Sequence, residues 1–322
     1  MTEPTLGNNT EPLPLRQFGQ TNLYVTPLCV GCSGLSSMPD VFGYEVSEGQ
    51  ALETLRAAFH SPIHYVDTAA GYGDGESERR IGIILRELGG LPDGFVLATK
   101  VDRDAATGGF SGDQTRRSVE RSLKLLGLDH FQIVLLHDPE YTTFENIMKP
   151  GGAVEVMLRY KEQGVIEHIG VAGGPIDLMI RYIETGAFEA VLTHNRYTLL
   201  NRAAEPLLQR ATERGMAILN AAPYGGGILS RGPENFPRYA YRDADDVTLK
   251  RALDMQAICE EYGVPLAAAA LQFSMRDPRI VSTIIGMTRP ERLKQTLDLA
   301  QHPIPEEMWE RLNAVGNNTE DL

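Results

Sequence analysis

Short apolar runs, rich in β-branched residues, recur along the chain and alternate with longer amphipathic segments. There are eight such runs, at residues 27–32, 63–67, 95–100, 131–137, 166–172, 190–194, 216–221 and 281–286. Continuous apolar character over so few residues is typical of strands buried on both faces, as in a parallel sheet covered by helices.

The segments between these runs place apolar residues at helical spacing, as in Ile81, Ile84 and Leu88. Glycines such as Gly127 stand just before the next apolar run, where a left-handed helix C-cap is expected. Eight strand–helix alternations without a change of composition predict an α/β fold, a closed (β/α)8 TIM barrel rather than an open doubly wound sheet.

Several segments lie outside this repeat. Residues 16–27 predict an N-terminal β-hairpin that caps the lower mouth of the barrel. Extra helices are predicted before strand 8, at 247–263 and 265–275, and after it, around Trp309. Residues 1–14 and 317–322 are polar and are expected to be disordered tails, which leaves one domain over residues 15–316.

Composition and charge restrict the partners. With 30 basic and 43 acidic residues the net charge is -13, which disfavours nucleic acid and anionic membrane, because both require a basic face. A small-molecule substrate is expected, and a homo-oligomer is compatible with the sequence. No leader or bilayer-length apolar run is present, and the apolar surroundings of Cys29 and Cys32 indicate reduced thiols, so we expect a cytoplasmic protein without a metal site.

Four residues suited to proton transfer follow consecutive apolar runs. Asp67, Lys100 and His137 end the second, third and fourth runs, and Tyr72 lies in the glycine-rich loop after Asp67. The carboxyl ends of barrel strands open on one face, so these side chains are expected to converge. We expect Lys100 to lower the pKa of the Tyr72 phenol. Such a set moves a proton but not two electrons, which implies a bound hydride carrier.

The motifs around these residues resemble those of the aldo-keto reductases. The specific stretch is DTAAGYGDGESERRIG at 67–82, and LATK, LLHDP, IEHIGVAG, AAPYGGGILS and IIGMTRPERLKQ extend the resemblance over nearly the whole chain. The resemblance implies that Tyr72 is the general acid/base and Lys100 its pKa partner. It also implies that Asp67 pairs with the lysine and that His137 orients the substrate carbonyl.

The resemblance further implies a nicotinamide dinucleotide, bound without a Rossmann unit. Ala172 and Gly173 replace the family's polar carboxamide ligands, so backbone groups are expected to act instead. His194 corresponds to the glutamine beneath the ring, and Tyr224 is expected to replace a stacking aromatic. The other residues expected at the cofactor are Gly31, Ala222, Gly226, Gly286, Thr288, Arg289, Arg292 and Gln295.

Cofactor preference depends on the segment after strand 8. NADP-specific members of the family often carry a lysine there for the 2′-phosphate, whereas this chain has GMTR at 286–289. NAD is therefore the preferred cofactor. NADP is the alternative, because Arg289 and Arg292 are also able to bind a phosphate.

Within the family, GGGILS, RYTLLN and the short C-terminal helix resemble bacterial D-threo-aldose (L-fucose or galactose) 1-dehydrogenases and pyridoxal 4-dehydrogenase. The resemblance implies oxidation of an aldose C1 hydroxyl to a lactone, or action on a related aldehyde or alcohol. The residues expected at the substrate are Tyr72, His137, Asp138 and Tyr241. The alternatives are an NADPH-dependent aldehyde or ketone reductase, a cofactor-binding regulatory subunit of the same fold, and an unrelated barrel aldolase or isomerase with Lys100 as Schiff-base nucleophile.

Overall fold

In the computed structural model, which describes residues 12–322, eight parallel strands close into a barrel. The strands in chain order are β1 (Arg16–Gln17), β2 (Tyr24–Val25), β3 (Leu28–Gly31), β4 (Tyr65–Asp67), β5 (Val96–Val101), β6 (Phe131–His137), β7 (Ile166–Ala172), β8 (Ala190–His194), β9 (Ala217–Ala221), β10 (Arg238–Tyr239), β11 (Arg242–Asp243) and β12 (Ile280–Gly286). Strands β3 to β9 and β12 form the barrel, and β12 closes it against β3. The predicted (β/α)8 fold is confirmed.

Helices follow the barrel strands and cover the barrel from outside. In the described part of the chain they are α1 (Pro39–Phe42), α2 (Glu48–Phe59), α3 (Glu76–Leu88), α4 (Gly112–Leu126), α5 (Phe144–Met148), α6 (Ala153–Glu162), α7 (Ile176–Glu184), α8 (Glu205–Glu213), α9 (Ile228–Arg231), α10 (Asp246–Glu261), α11 (Leu266–Met275), α12 (Glu291–Gln301) and α13 (Glu306–Val315). Helices α10 and α11 are the predicted additions before the last barrel strand, and α13 is the predicted addition after it. Helix α4 ends at Gly127 with φ 72°, the left-handed cap expected there.

The strands are apolar on both faces because each face packs against a different part of the core. Inside the barrel, Phe18, Cys29, Tyr65 and Leu219 belong to one buried cluster. A larger cluster fills the space between the outer faces of the strands and the helices. The three cysteines, Cys29, Cys32 and Cys259, are free and buried. None of the helices in residues 12–322 combines the length and apolar character that crossing a bilayer requires.

The register of the strands aligns three of the predicted site residues on one face. Asp67 is paired with Ala98, two residues before Lys100, and Lys100 is paired with Leu135, two residues before His137. Side chains two residues apart on a strand point the same way. Because successive strands are staggered, the side chains of Asp67, Lys100 and His137 lie on the same side of the sheet, at its carboxyl end.

The hairpin formed by β1 and β2 lies against the amino ends of the barrel strands, as predicted. The guanidinium of Arg16 donates to the carbonyl of Ile280, the first residue of β12, at 2.7 Å. The side chain of Phe18 is fully buried in the cluster inside the barrel. The lower mouth is thus closed, and access from solvent is left to the carboxyl ends.

The C-terminal segment packs against the barrel. Residues 1–11 of the expected N-terminal tail lie outside the described residues. The expectation of a disordered C-terminal tail is wrong, because its polar groups find partners on the barrel. Asp321 accepts a hydrogen bond from the backbone N–H of Ile176 at 2.7 Å and forms an ion pair with the largely buried Arg196. Asn318 donates its N–H to the carbonyl of Leu200.

Candidate active site

Lys100 lies at the centre of the predicted constellation. Its ammonium donates to Asp67 Oδ1 at 2.7 Å, to the carbonyl of Thr68 at 2.8 Å and to Tyr72 Oη at 3.1 Å. Three acceptors match the three protons of an ammonium group. The lysine is therefore held in one orientation, with one proton directed at the tyrosine phenol.

His137 lies on the other side of Tyr72. The two rings are perpendicular, with centroids 5.5 Å apart. Nδ1 of His137 lies 2.7 Å from Oδ1 of Asp102, whose Oδ2 accepts the backbone N–H of Gly71 at 2.6 Å. Asp102 is absent from the sequence-based prediction, although it is adjacent in space to His137. The structure thus brings the four predicted residues together and adds a fifth.

Burial and charge act against each other on the ionisable groups. Burial disfavours the charge on Lys100, but the carboxylate of Asp67 and the Tyr72 oxygen outweigh it, so the pKa of Lys100 is raised. Burial also disfavours the phenolate of Tyr72, and here it outweighs the attraction of Lys100, so the pKa of Tyr72 is raised. The expectation that Lys100 lowers the tyrosine pKa below its ordinary value is therefore wrong. Lys100 only limits the increase in the pKa of Tyr72.

His137 and Asp102 stabilise each other's charged forms. Burial lowers the pKa of His137, but the carboxylates of Asp102 and Asp138 outweigh it, and the pKa is raised. For Asp102, burial is outweighed by His137 and by the N–H of Gly71, so its pKa is lowered. Two groups paired with carboxylates, Lys100 and His137, thus flank the phenol of Tyr72.

A cavity of about 880 Å3 opens above these residues at the carboxyl ends of the strands. A volume of this size is at the upper end for small-ligand sites and suits a large ligand such as a dinucleotide. Besides the four central residues, it is lined by the predicted Gly31, Asp138, Ala172, His194, Ala222, Tyr224, Gly226, Tyr241, Gly286, Thr288, Arg289, Arg292 and Gln295. The contacts of these residues with a ligand stay a prediction.

Gly173 is the predicted residue that does not line this cavity. A Cβ at this position would meet Met179 Sδ at 2.9 Å and Glu140 Oε2 at 3.0 Å, so the glycine packs against the β6–α5 connection instead. This close packing explains why the chain has a glycine at position 173, where the family has a larger polar residue.

Two arginines give one end of the cavity a positive charge. Within residues 12–322, neither guanidinium of Arg289 or Arg292 has an ion-pair or side-chain hydrogen-bond partner, although acidic residues outnumber basic ones 43 to 30 in the chain. Both arginines stand where β12 leads into α12. Gly286 beside them has open space where a Cβ would point. Unpaired guanidiniums beside an open backbone fit the phosphates of a dinucleotide.

Two uncharged rings, those of His194 and Tyr224, also line the cavity. Burial lowers the pKa of His194 to about 4, so this imidazole is neutral. Its Nδ1 lies 3.3 Å from the Asn195 amide. A neutral ring and an aromatic side chain suit the flat, weakly polar surface of a nicotinamide.

Aromatic side chains line the cavity, and two of them, Tyr44 and Phe42, were not predicted. Tyr44 and Phe42, from the loop between β3 and α2, line the cavity, and the Phe42 ring meets that of Tyr241 edge-on at 6.0 Å. Arg231 lies over the ring of Phe236 at 4.5 Å. The sequence signal was the presence of aromatics in two long strand-to-helix connections, but only the folded chain shows that these connections meet.

Comparison with known proteins agrees with this arrangement. The model of the aldo/keto reductase family matches residues 27–317. The chain is 29% identical over 338 residues to pyridoxal 4-dehydrogenase of Microbacterium luteolum, covering 94% of this chain and 97% of the relative. It is 29% identical over 293 residues to D-threo-aldose 1-dehydrogenase of a Pseudomonas species, covering 83% and 88%.

A solved structure shares the fold. The holo form of an aldo-keto reductase from Bacillus halodurans superposes with a TM-score of 0.78 at 21% identity, over 96% of this chain and 98% of the other. Since the family match spans the whole barrel, from the strand that opens it to the helix that follows the last one, the chain belongs to the aldo/keto reductase family, a family of oxidoreductases.

Proposed function

We propose that this protein is an NAD-linked dehydrogenase that oxidises the C1 hydroxyl of a cyclic aldose to a lactone, with Tyr72 as general base. The observation that carries the proposal is the position of Lys100, whose ammonium lies 3.1 Å from Tyr72 Oη and 2.7 Å from Asp67 at the floor of the cavity. No single one of these residues would suffice, because each has an ordinary structural role elsewhere in proteins.

The chain's own residues account for the proton. Tyr72 Oη takes the proton of the substrate hydroxyl, and the adjacent ammonium of Lys100 stabilises the phenolate that must exist beforehand. His137 in its imidazolium form donates its Nε2–H to the same substrate oxygen and holds it in place. A bound nicotinamide would supply the hydride acceptor at its C4 atom.

The cofactor proposal uses the arginines and the uncharged rings that line the cavity. Arg289 and Arg292 would bind the phosphates, while His194 and Tyr224 would contact the nicotinamide. NAD is preferred over NADP because the segment 286–289 supplies no lysine for a 2′-phosphate.

Asp138 is the proposed substrate contact. Its backbone has a positive φ of 43°, which is uncommon for a residue other than glycine. Its carboxylate lies 3.7 Å from Nε2 of His137 and lines the cavity. A carboxylate at this position is suited to accept hydrogen bonds from a sugar hydroxyl next to the reacting carbon. The names of the two relatives, both dehydrogenases, support oxidation as the direction.

A panel of substrates tests the proposal. L-Fucose, D-arabinose and pyridoxal would be supplied with NAD or NADP at alkaline pH, and reduced cofactor followed by absorbance. We expect turnover of an aldose with NAD. Failure with all three substrates and both cofactors would contradict the proposal and favour a binding role.

The variant Tyr72→Phe should bind cofactor normally in calorimetry and lose about 10²–10⁴-fold in kcat, the range for general acid–base groups. Tyr24→Phe, on the exposed hairpin at the other end of the barrel, is the matched control. Retention of activity by Tyr72→Phe would instead favour Lys100 as a Schiff-base nucleophile, which borohydride trapping would reveal.

A further inference from the structure

Asp102 connects the two groups that flank the reacting oxygen in the proposed function. One carboxylate oxygen lies 2.7 Å from His137 Nδ1, and the other accepts the N–H of Gly71, the residue before Tyr72, at 2.6 Å. A Cβ on Gly71 would lie 2.8 Å from the carboxylate carbon of Asp102, so only glycine permits this approach. One side chain thus ties the loop of Tyr72 to the ring of His137.

The contact determines which nitrogen of His137 carries a proton. The pKa of Asp102 is lowered, so it is a carboxylate, and a carboxylate only accepts hydrogen bonds. Nδ1 must therefore be the donor. Among the described residues no protein atom hydrogen-bonds Nε2, and its near neighbour, the carboxylate of Asp138, lies 3.7 Å away. Nε2 is left for a ligand in the cavity.

We propose that Asp102 is a positioning residue that holds the Nδ1 proton of His137, so that the second proton of the imidazolium lies on Nε2 and is directed at the substrate oxygen. This inference rests on the proposed function for its catalytic consequence, but the protonation state it assigns is a property of the protein alone. Carboxylates that orient an imidazole in this way determine both its tautomer and its basicity.

The other charged groups around His137 do not replace Asp102. Asp138 favours the imidazolium from the cavity side, while Lys100 and burial oppose it. Asp67, Glu140 and His194 act through space from neighbouring strand ends, and the Tyr72 ring packs edge-on. None of these groups is within hydrogen-bond distance of Nδ1 in the described chain, so Asp102 alone sets its proton.

The substitution Asp102→Asn removes this control with little change of shape. An asparagine has one acceptor oxygen and one amide donor, so it cannot accept from both Gly71 and His137. Asp104→Asn is the matched control, because Asp104 lies two residues on and accepts from its own turn, from the N–H groups of Ala106 and Thr107 and from the Thr107 hydroxyl.

Nitrogen-15 NMR of the cofactor-free protein tests the assignment directly. The His137 resonances are identified by their loss in His137→Gln. We expect protonated Nδ1 and unprotonated Nε2 in the neutral ring, and in Asp102→Asn a titration midpoint lower by about one pH unit or more. A neutral ring protonated on Nε2, or an unchanged midpoint in Asp102→Asn with the same tautomer, would overturn the proposal.

Kinetics of the complete enzyme add a second readout. Asp102→Asn should lower kcat by about tenfold or more while the cofactor Kd stays within about twofold, as for loss of a group that orients a catalytic histidine. Unchanged kcat would also overturn the proposal. If the wild-type protein has no activity but the NMR result is as expected, the proposed function fails and the assignment of Asp102 stands.

Discussion

The ammonium of Lys100 and the carboxylate of Asp67 lie 2.7 Å apart, with side chains only 1% and 4% exposed. A second pair in the protein, Lys294 and Asp298, has the same 2.7 Å separation, but its side chains are 56% and 54% exposed. The two pairs therefore differ in burial and not in length. This difference allows the contribution of burial to be measured within one molecule.

We predict that Asp67→Asn destabilises the fold by about 3–5 kcal/mol, because it leaves the buried ammonium of Lys100 without its counter-ion. Asp298→Asn, which breaks the exposed pair, should cost at most about 0.5 kcal/mol. Urea unfolding followed by circular dichroism at neutral pH measures both. Equal effects of the two substitutions would show that Lys100 loses its proton without cost when Asp67 is neutral.

The raised pKa of Tyr72 predicts the pH dependence of oxidation. The phenol must lose its proton before it accepts one from the substrate, and burial places its pKa above the ordinary value of about 10. The fraction of Tyr72 in the phenolate form should then increase about tenfold per pH unit between pH 7 and pH 9. The measurement is kcat/KM for NAD reduction across that range. A plateau beginning below pH 8 would mean that the bound cofactor lowers the tyrosine pKa much more than the protein does.

Much of the site could be predicted because it depends on local sequence. Lys100 and His137 end apolar runs, and the carboxyl ends of barrel strands always meet on one face. The motif-based family resemblance is confirmed for the same reason, since residues 67–82 form one strand end, one loop and the start of one helix.

What could not be predicted depends on contacts between distant residues. The Asp102–His137 contact joins positions 35 residues apart in sequence, and nothing in the local pattern distinguishes Asp102 from a solvated loop aspartate. Likewise, Asp321 belongs to a polar C-terminus whose partner Arg196 lies 125 residues earlier. The prediction of a lowered Tyr72 pKa was wrong for a different reason. Burial raises this pKa while Lys100 lowers it, and how deeply the phenol is buried depends on the closed barrel.

The arginines after β12 predict a measurable effect on cofactor binding. Arg292→Ala should weaken dinucleotide binding about tenfold, because it removes from the cavity a guanidinium that has no protein partner in the described residues. Isothermal titration with NAD and with NADP measures the loss. Arg86→Ala, at the end of α3 outside the cavity, is the control. A larger loss for NADP than for NAD would place Arg292 at the 2′-phosphate, and no loss for either would remove it from the site.

Glu78 predicts a pH dependence of stability that is separate from catalysis. Its side chain is fully buried, Oε1 accepts from Thr99 Oγ1 at 2.6 Å, and Oε2 has no partner in the described chain. Burial outweighs the hydroxyl hydrogen bonds and raises its pKa to about 7. The folded protein therefore binds a proton at this site over a pH range in which the unfolded chain, with an ordinary value of about 4.3, does not.

The sign of the effect follows from this difference. Stability from protonated Glu78 is fully present below about pH 4.3 and is lost as pH increases through about 7, so the fold loses about 3 kcal/mol from this group between pH 4.5 and pH 8. Glu78→Gln, which keeps the shape and remains neutral, should reduce this loss, and its stability relative to wild type should increase with pH. Urea unfolding at pH 5.5 and pH 8.5 measures the difference, with the exposed Glu53→Gln as control. A constant difference between Glu78→Gln and wild type at the two pH values would show that Glu78 is ionised in the folded protein throughout.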